Sequence, residues 1–174
     1  MLNFDNTYHW YALYTKSRRE KEVERDLLED GYEAYLPKIK RLRVWSDRKK
    51  WVEMPLFSGY VFVKISVKEY YWILQHPGAV KYVGFGGQVA RIPEQQIEGV
   101  KRVLGLNLDL EVTTDHFKKG QIVEINVGPM SGCKGEIVNV SSKKKLLLRI
   151  NDIGYSLLVK VPAAYLKEGV RLMA

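Results

Sequence analysis

The sequence has one cysteine, three histidines and no long apolar run, and each shortage excludes a class of protein. Cys133 cannot form an internal disulfide, which excludes a disulfide-stabilised secreted fold and indicates a reducing compartment. No apolar stretch reaches the roughly 18 residues that cross a bilayer, and residues 1–9 lack the charged start and apolar core of a secretory signal. We therefore expect a cytoplasmic protein with no membrane partner.

Catalytic and metal-binding motifs are also missing. His9, His76 and His116 are scattered, and no cysteine or histidine pair has the spacing of a zinc site. The glycine pairs lie between strand patterns, unlike those of a P-loop or a dinucleotide fingerprint. Lys134 is a cation able to lower the pKa of Cys133, but no histidine is near enough to form a nucleophile pair. The sequence predicts a protein that is not an enzyme and needs no cofactor and no metal.

Positive charge is what the sequence has in excess. The chain holds 28 lysines and arginines against 20 acidic residues, a net charge of +8. Such a charge favours contact with nucleic acid, although many basic proteins merely carry a solvated cationic face. Segment 38–50 is the densest cluster, with seven basic residues and one acidic residue. We expect it to bind phosphates while Trp45 and Trp51 stack on bases; the alternative is a solvated hairpin with both tryptophans in the core.

Strand and helix patterns alternate through residues 1–105. Ser17 with Glu20, and Ser66 with Glu69, have the spacing of capping boxes and predict two helix starts. Pro93 suits the first turn of a third helix. The order strand, helix, strands, helix, strands, helix predicts a split βαβ, ferredoxin-like sandwich. The predicted strands are 10–14, 32–45, 50–54, 60–65, 80–85 and 88–92, and the second and third of them form a projecting basic hairpin.

The pattern changes after residues 106–116, which we interpret as a linker. The predicted strands beyond it are 122–127, 136–140, 146–150 and 155–161, separated by turn residues. Four or five strands in about 55 residues predict a small antiparallel barrel, because closure protects strand edges. The fold class is therefore α+β, with one domain at 1–105 and a second, all-β domain at 117–174.

Four motifs, in the same order along the chain, carry a resemblance to a known family. Met-Pro-Leu-Phe-Ser-Gly-Tyr-Val-Phe-Val at 54–63 resembles the Phe-Pro-Gly-Tyr-Val segment of the NusG family of transcription elongation factors. Trp-Tyr-Ala-Leu-Tyr-Thr-Lys at 10–16 and the stretch at 77–87 support it, and residues 119–138 resemble a KOW motif. The Pro-Leu-Phe opening and the Tyr-Val-Phe-Val ending are closer to specialised paralogues of the RfaH and UpxY type.

The resemblance implies an NGN domain followed by an SH3-like KOW barrel. Members of the family bind RNA polymerase through an apolar patch that receives the clamp helices of the largest subunit. The positions that carry over are Tyr14, Phe57, Tyr60, Phe62 and Phe85. Their alternative role is ordinary core packing, and the docking interpretation requires the ring of Phe57 to be exposed. Ser58 departs from the usual proline of the segment.

The resemblance also implies contact with upstream or non-template DNA. The residues we assign to it are Lys16, Arg18, Arg19, Arg41, Arg43, Arg48, Lys49 and Lys50. The implied function is a monomeric factor that bridges the polymerase cleft and suppresses pausing and termination on a specific set of operons. It would act as a population shift, by binding the active state more tightly than the paused state.

The second domain of the family contacts termination factor Rho or a small-subunit ribosomal protein. The corresponding positions are Met130, Cys133, Ile153 and Tyr155. They differ from the aromatic loop and the Phe-Gly-Arg set of general members, which favours a specialised antiterminator. RfaH can refold this domain as a helical hairpin, but the glycines here and the apolar alternation at 123–127 predict strands.

Two other functions fit parts of the sequence. KOW barrels also occur in ribosomal proteins, so a ribosome-associated RNA-binding protein is the main alternative. An enzyme acting on nucleic acid is a third, although no acidic metal cluster is apparent. The apolar segment 57–62 needs a protein partner and therefore favours the polymerase.

Overall fold

The computed structural model describes residues 7–85, 87–106, 110–113, 120–126, 128–140, 143–150, 155–160 and 170–172. Contacts divide the chain into two compact units, Met1–Pro93 and Glu94–Ala174. No helix within those described stretches is long and apolar enough to span a bilayer.

The first unit is built on a four-stranded antiparallel sheet. In chain order its elements are β1 (His9–Thr15), α1 (Glu20–Glu29), β2 (Glu33–Tyr35), β3 (Lys38–Val44), β4 (Lys49–Pro55), β5 (Tyr60–Ile65), α2 (Tyr70–Ile73), β6 (Ala79–Tyr82), β7 (Gly84–Phe85) and β8 (Gln88–Val89). The sheet order is β2-β5-β1-β6. Helix α1 joins β1 to β2 with β5 between them, and α2 joins β5 to β6 with β1 between them. This is the predicted split βαβ arrangement, and the prediction is confirmed.

One face of this sheet carries the aliphatic core. Side chains alternate across a strand, so every second residue of β1 and β5 points to the face covered by the helices. The residues packed together there are Tyr11, Leu13, Val23, Leu27, Leu36, Val61, Val63, Ile65, Ile73 and Tyr82. Burial of each aliphatic side chain stabilises the unit by about 1.5–3 kcal/mol.

The start of α1 differs from the sequence prediction. The helix begins at Glu20, and its N-cap, Arg19, makes no capping side-chain hydrogen bond. The capping box predicted at Ser17 is therefore wrong, because the carboxylate of Glu20 accepts a hydrogen bond from a distant loop instead. The box at Ser66 is present in part, since Glu69 accepts a hydrogen bond from the N–H of Ser66 at 2.7 Å.

The described residues of the second unit form one α-helix, a short 3-10 turn and one antiparallel sheet. Its elements are α3 (Glu94–Gly105), β9 (Leu110–Thr113), β10 (Gln121–Ile125), a 3-10 turn (Gly128–Met130), β11 (Lys134–Val140), β12 (Lys143–Ile150), β13 (Tyr155–Lys160) and β14 (Val170–Leu172). The sheet order is β14-β10-β11-β12-β13-β9. The strand-rich character predicted for residues 117–174 is confirmed, whereas α3 and β9 precede that range. Strand β9 lies inside the predicted linker and pairs with β13.

Helix α3 groups with the second unit, whereas the sequence assigned it to the first. The guanidinium of Arg102 donates a hydrogen bond to the carbonyl of Ser131 at 2.9 Å. A Cβ added at Gly99 would lie 3.9 Å from Cδ2 of Leu148 on β12. These contacts attach α3 to the β-sheet of its own unit, and the domain boundary at residue 105 stays a prediction.

Candidate docking face and nucleic-acid interface

The second face of the four-stranded sheet is aromatic. Strand register places Tyr14 opposite Tyr60, and Tyr35 opposite Phe62. The rings form two groups of contacts: Tyr14 and Tyr60 have centroids 5.5 Å apart, whereas Phe62 lies 6.5 Å from Tyr35 and 6.2 Å from Phe57. We call Tyr14, Tyr35, Phe57, Tyr60 and Phe62 the aromatic face. Four of the five residues predicted to bind RNA polymerase therefore lie together.

Exposure separates these residues into two groups. Tyr14 is 40% exposed and Tyr60 is half-buried, but Phe57 and Phe62 are 1% and 0% exposed. The expectation that the ring of Phe57 is exposed is therefore wrong. Its ring packs edge-on against Phe62, which occupies the middle of the sheet. The side chain of Phe85 lies outside the described residues.

A buried carboxylate fixes the turn beside the aromatic face. Glu20 is 6% exposed, and its Oε1 accepts a hydrogen bond of 2.8 Å from the N–H of Gly59. The carbonyl of Gly59 accepts a second one, of 2.9 Å, from the N–H of Thr15. Gly59 has φ +85°, which favours glycine, and a Cβ there would lie 3.1 Å from Cε2 of Tyr14. Glu20 is a positioning residue that the sequence analysis missed, since 39 positions separate it from Gly59.

Strands β3 and β4 form a separate two-stranded ribbon, which confirms the predicted basic hairpin. The register pairs Leu42 with Trp51 and Arg43 with Lys50. The N–H of Trp45 donates to the carbonyl of Arg48 at 2.8 Å and closes the tip.

Each face of this hairpin carries its own set of side chains. The Trp51 face consists of Lys40, Leu42, Val44, Lys49, Trp51 and Glu53, and the Arg43 face consists of Ile39, Arg41, Arg43, Lys50, Val52 and Met54. Trp45 and Trp51 are 41% and 64% exposed, so the alternative that placed both tryptophans in the core is wrong. The guanidinium of Arg48 lies 5.7 Å from the ring centroid of Trp45.

Most of the positive charge of the hairpin is not neutralised. At its base, Lys38 pairs with Glu24 at 2.7 Å, and Glu53 lies 3.5 Å from Lys21 of α1. Six further cations make no ion pair within the described part of the chain: Lys40, Arg41, Arg43, Arg48, Lys49 and Lys50. This cluster suits a polyanion.

The other predicted nucleic-acid residues lie where β1 leads into α1. Lys16 and Arg18 are exposed, and Arg18 has φ +65°, a backbone conformation uncommon outside glycine. Arg19 forms an ion pair with Glu22, which partly neutralises it. Of these three cations, Lys16 is the nearest in sequence to the aromatic face, two residues after Tyr14.

The predicted partner loop of the second domain is mostly interior. Met130 and Cys133 are 0% and 1% exposed, so the prediction that their side chains form a partner surface is wrong. The 3-10 turn folds the loop back on β10, where the N–H of Gly132 donates to the carbonyl of Ile125 at 2.6 Å. Tyr155 is half-buried on β13. Ile153 lies outside the described residues.

The thiol of Cys133 is buried in the second unit. Burial raises the pKa of the Cys133 thiol, and the nearby charge of Arg102 acts in the opposite direction. The expectation that a cation could lower this pKa therefore does not describe the net effect. No group of three or more histidine, cysteine or acidic side chains among the described residues is arranged to hold a metal ion.

Comparisons with known proteins give one consistent result. The family model described as NusG, transcription termination factor, matches residues 8–101. A protein named transcription termination/antitermination protein NusG, from Borreliella burgdorferi, is 25% identical over 91% of this chain and 97% of its own. Its namesake from Staphylococcus aureus is 25% identical over 87% and 91%.

Solved structures give matches of lower similarity. The structure described as "Domain interaction in Thermotoga maritima NusG" has a TM-score of 0.48 and 23% identity, and the match covers 88% of this chain and 93% of that one. A complex described as MjSpt4:Spt5, conformation B, has a TM-score of 0.31 and 18% identity over 95% and 97%.

Proposed function

Since this chain belongs to the NusG family, we propose that it is a transcription elongation and antitermination factor that docks on the clamp helices of RNA polymerase. Relatives over most of its length are named transcription termination/antitermination proteins, which supports a general role in transcription. The observation that carries the docking proposal is the cluster of aromatic rings on one sheet face.

Tyr14 and Tyr60 are the contact residues of the proposed dock. Tyrosine combines a large apolar ring with a hydroxyl that stays hydrogen-bonded, and is enriched among residues that dominate binding energy. Phe57 and Phe62 are buried on the same side of the sheet and pack against each other. Glu20 fixes the turn through Gly59. The dock is therefore a pair of half-exposed rings on a rigid base.

The proposed mechanism makes and breaks no bond. A factor that binds the active polymerase tenfold more tightly than the paused state shifts that equilibrium by about 1.4 kcal/mol. Basic residues increase this difference in affinity if the DNA lies within their reach only in the active state of the polymerase. We assign that contact, with upstream or non-template DNA, to Lys16, Arg18, Arg19 and the six hairpin cations that make no ion pair within the described part of the chain. The specialised RfaH or UpxY type, acting on a specific set of operons, is part of the proposal.

The test of docking is a transcription assay with purified RNA polymerase that scores pausing and termination. We expect the wild-type protein to reduce both, and Tyr14→Ala to weaken binding to the polymerase by about tenfold or more. Tyr8→Ala is the matched control, because Tyr8 is a 56% exposed tyrosine outside the aromatic face. Equal activity of Tyr14→Ala and wild type would contradict the dock. Binding to ribosomes instead of polymerase would favour the KOW alternative.

Phe57→Ala alone is a poor test of docking. Because the ring is 1% exposed, its removal costs about 3–5 kcal/mol of folding stability. Loss of activity would then report unfolding as well as lost contact. The substitution is informative only next to Tyr14→Ala, whose ring is already partly in solvent.

A further inference from the structure

The Trp51 face of the hairpin is an exposed apolar surface that the proposed docking does not use. Leu42, Val44 and Trp51 are 47%, 64% and 64% exposed. Leu42 lies directly opposite Trp51, and Val44 opposite Lys49. Directly paired residues of an antiparallel ribbon have Cβ atoms about 5 Å apart, so the three apolar side chains form one continuous patch.

We propose that the Trp51 face is a stacking platform for single-stranded DNA, on which one unpaired base lies against the indole of Trp51 while hairpin cations bind the flanking phosphates. The proposal rests on the proposed DNA contact and names its form. The base covers the apolar patch made by Trp51, Leu42 and Val44. Lys40 and Lys49 lie at its two ends on the same face.

Charge identifies the occupant of the patch. Two of the hairpin cations without an ion pair among the described residues, Lys40 and Lys49, lie on the Trp51 face itself. Arg48 lies at the tip, and Arg41, Arg43 and Lys50 lie on the opposite face of a ribbon only two strands wide. A neutral apolar protein surface would leave these charges unmatched, whereas a nucleic-acid strand supplies a base and a phosphate at every nucleotide. Aromatic side chains between cations are the usual arrangement of single-strand binding sites.

The form of the surface favours an unpaired deoxyribose strand. A base stacked inside a duplex has no free π-face for Trp51, so pairing removes this contact. Recognition of RNA commonly uses hydrogen bonds to the 2′-hydroxyl. On the Trp51 face only Lys40, Lys49 and Glu53 can form hydrogen bonds to that group, and we assign the two lysines to phosphates. Glu53, the one acceptor, already contacts Lys21.

The experiment uses the full chain without polymerase and measures fluorescence anisotropy of a labelled 12-nucleotide oligothymidylate, an oligouridylate of equal length, and a 12-base-pair duplex. The variants are Trp51→Ala, Trp51→Phe and the control Trp72→Ala, because Trp72 is 61% exposed and outside the hairpin. Circular dichroism spectra, recorded for each variant at several temperatures during heating, check that the variant keeps the fold of the wild type.

We expect Trp51→Ala to weaken oligothymidylate binding by about tenfold, Trp51→Phe by about threefold or less, and Trp72→Ala not at all. Duplex affinity stays the same in all four proteins. The proposal is overturned if Trp51→Ala binds oligothymidylate like wild type, if it loses duplex affinity equally, or if oligouridylate binds more tightly than oligothymidylate. The proposal is also overturned, in favour of a protein partner, if the wild-type protein binds none of the three nucleic acids but is retained on a column that carries an acidic protein.

Failure of this proposal is distinguishable from failure of docking. Tyr14→Ala should leave oligonucleotide binding unchanged, since Tyr14 belongs to the sheet and Trp51 to the hairpin. A wild-type effect on polymerase pausing with no loss in Trp51→Ala would contradict only the stacking platform.

Discussion

Glu20 is the residue on which the turn at Gly59 depends. Its carboxylate is buried and accepts the N–H of Gly59, so Glu20→Ala removes the partner of that half-buried donor. We expect the free energy of unfolding to fall by about 1–3 kcal/mol. Urea denaturation measures it. Glu29→Ala is the control, because Glu29 is a surface residue whose ion pair with Arg25 is exposed to solvent and contributes little to stability.

The same substitution also tests the link between fold and docking. If the turn positions Tyr14 and Tyr60, Glu20→Ala should weaken polymerase binding even in the absence of urea, where the variant remains folded. Unchanged binding and unchanged stability would show that the hydrogen bond to Gly59 does not position the aromatic face.

Tyr82 provides a pH-dependent test of the core. Burial, with a further contribution from Tyr70, raises the pKa of its hydroxyl well above the usual value, and the hydroxyl donates to the carbonyl of Tyr70 at 3.1 Å. In the unfolded chain this hydroxyl ionises at about pH 10. The stability that it contributes is therefore complete below that pH and is lost as pH rises above it.

We expect Tyr82→Phe to cost about 0.5–1.5 kcal/mol at pH 7, through the lost hydrogen bond. At pH 11 the free energy of unfolding of the wild type falls by about 1.4 kcal/mol relative to that of the variant. The stability difference between the two proteins therefore disappears or changes sign. Chemical denaturation at both pH values measures this. Tyr71→Phe, with a 67% exposed ring, should match the wild type at pH 7. A difference for Tyr82→Phe that grows with pH would contradict the assignment.

Sequence alternation predicted the aromatic face only in part. It placed Tyr60 and Phe62 on one side of their strand, and the register with β1 agrees. Which of the rings reach solvent was not predictable, because the burial of Phe57 depends on how the chain returns at Gly59. That return is fixed by Glu20, a contact between residues far apart in sequence.

At the scale of the element, the hairpin is where the charge of the protein can be tested. We expect simultaneous substitution of Arg48, Lys49 and Lys50 by glutamate to weaken binding to the elongation complex. The slope of log affinity against log salt concentration should fall by about 2 to 3, through the lost phosphate contacts. Filter binding across a salt series measures it.

The matched control for this element is reversal of three exposed cations elsewhere, Lys68, Arg91 and Lys160, which changes the net charge equally. Equal effects of the two triple variants would mean that net charge acts and the hairpin does not. An unchanged salt slope in the hairpin variant would contradict the DNA contact there.

Elements with strong local patterns were predicted, and elements defined by distant partners were not. The hairpin has basic strands on both sides of a Ser-Asp tip, so its pairing is local. Strand β9 has only four residues and pairs with β13, more than 40 positions further on, and it was interpreted as linker. The start of α1 was misplaced because the spacing of Ser17 and Glu20 resembles a local cap.

For the whole molecule, the division at Pro93 makes a prediction about fragments. A fragment 94–174 keeps α3 and β9, whereas 117–174 lacks both. We expect the longer fragment to be more stable by about 2 kcal/mol or more, because α3 and β9 bury apolar side chains against the sheet. Thermal unfolding followed by circular dichroism compares the two. Equal stability of the two fragments would assign α3 to the first domain and place the domain boundary at residue 105.

Within the described residues, the ion pairs that join the hairpin to the rest of its unit lie near its base, where Lys38 and Glu53 pair with α1. Seven residues at about 3.3 Å each give an arm roughly 20 Å long. If the protein binds polymerase and DNA as proposed, arm length sets how wide a gap it can bridge between those two surfaces, whatever its affinity for either. Deleting an even number of residues from each strand would shorten that reach and preserve the side on which every remaining residue lies.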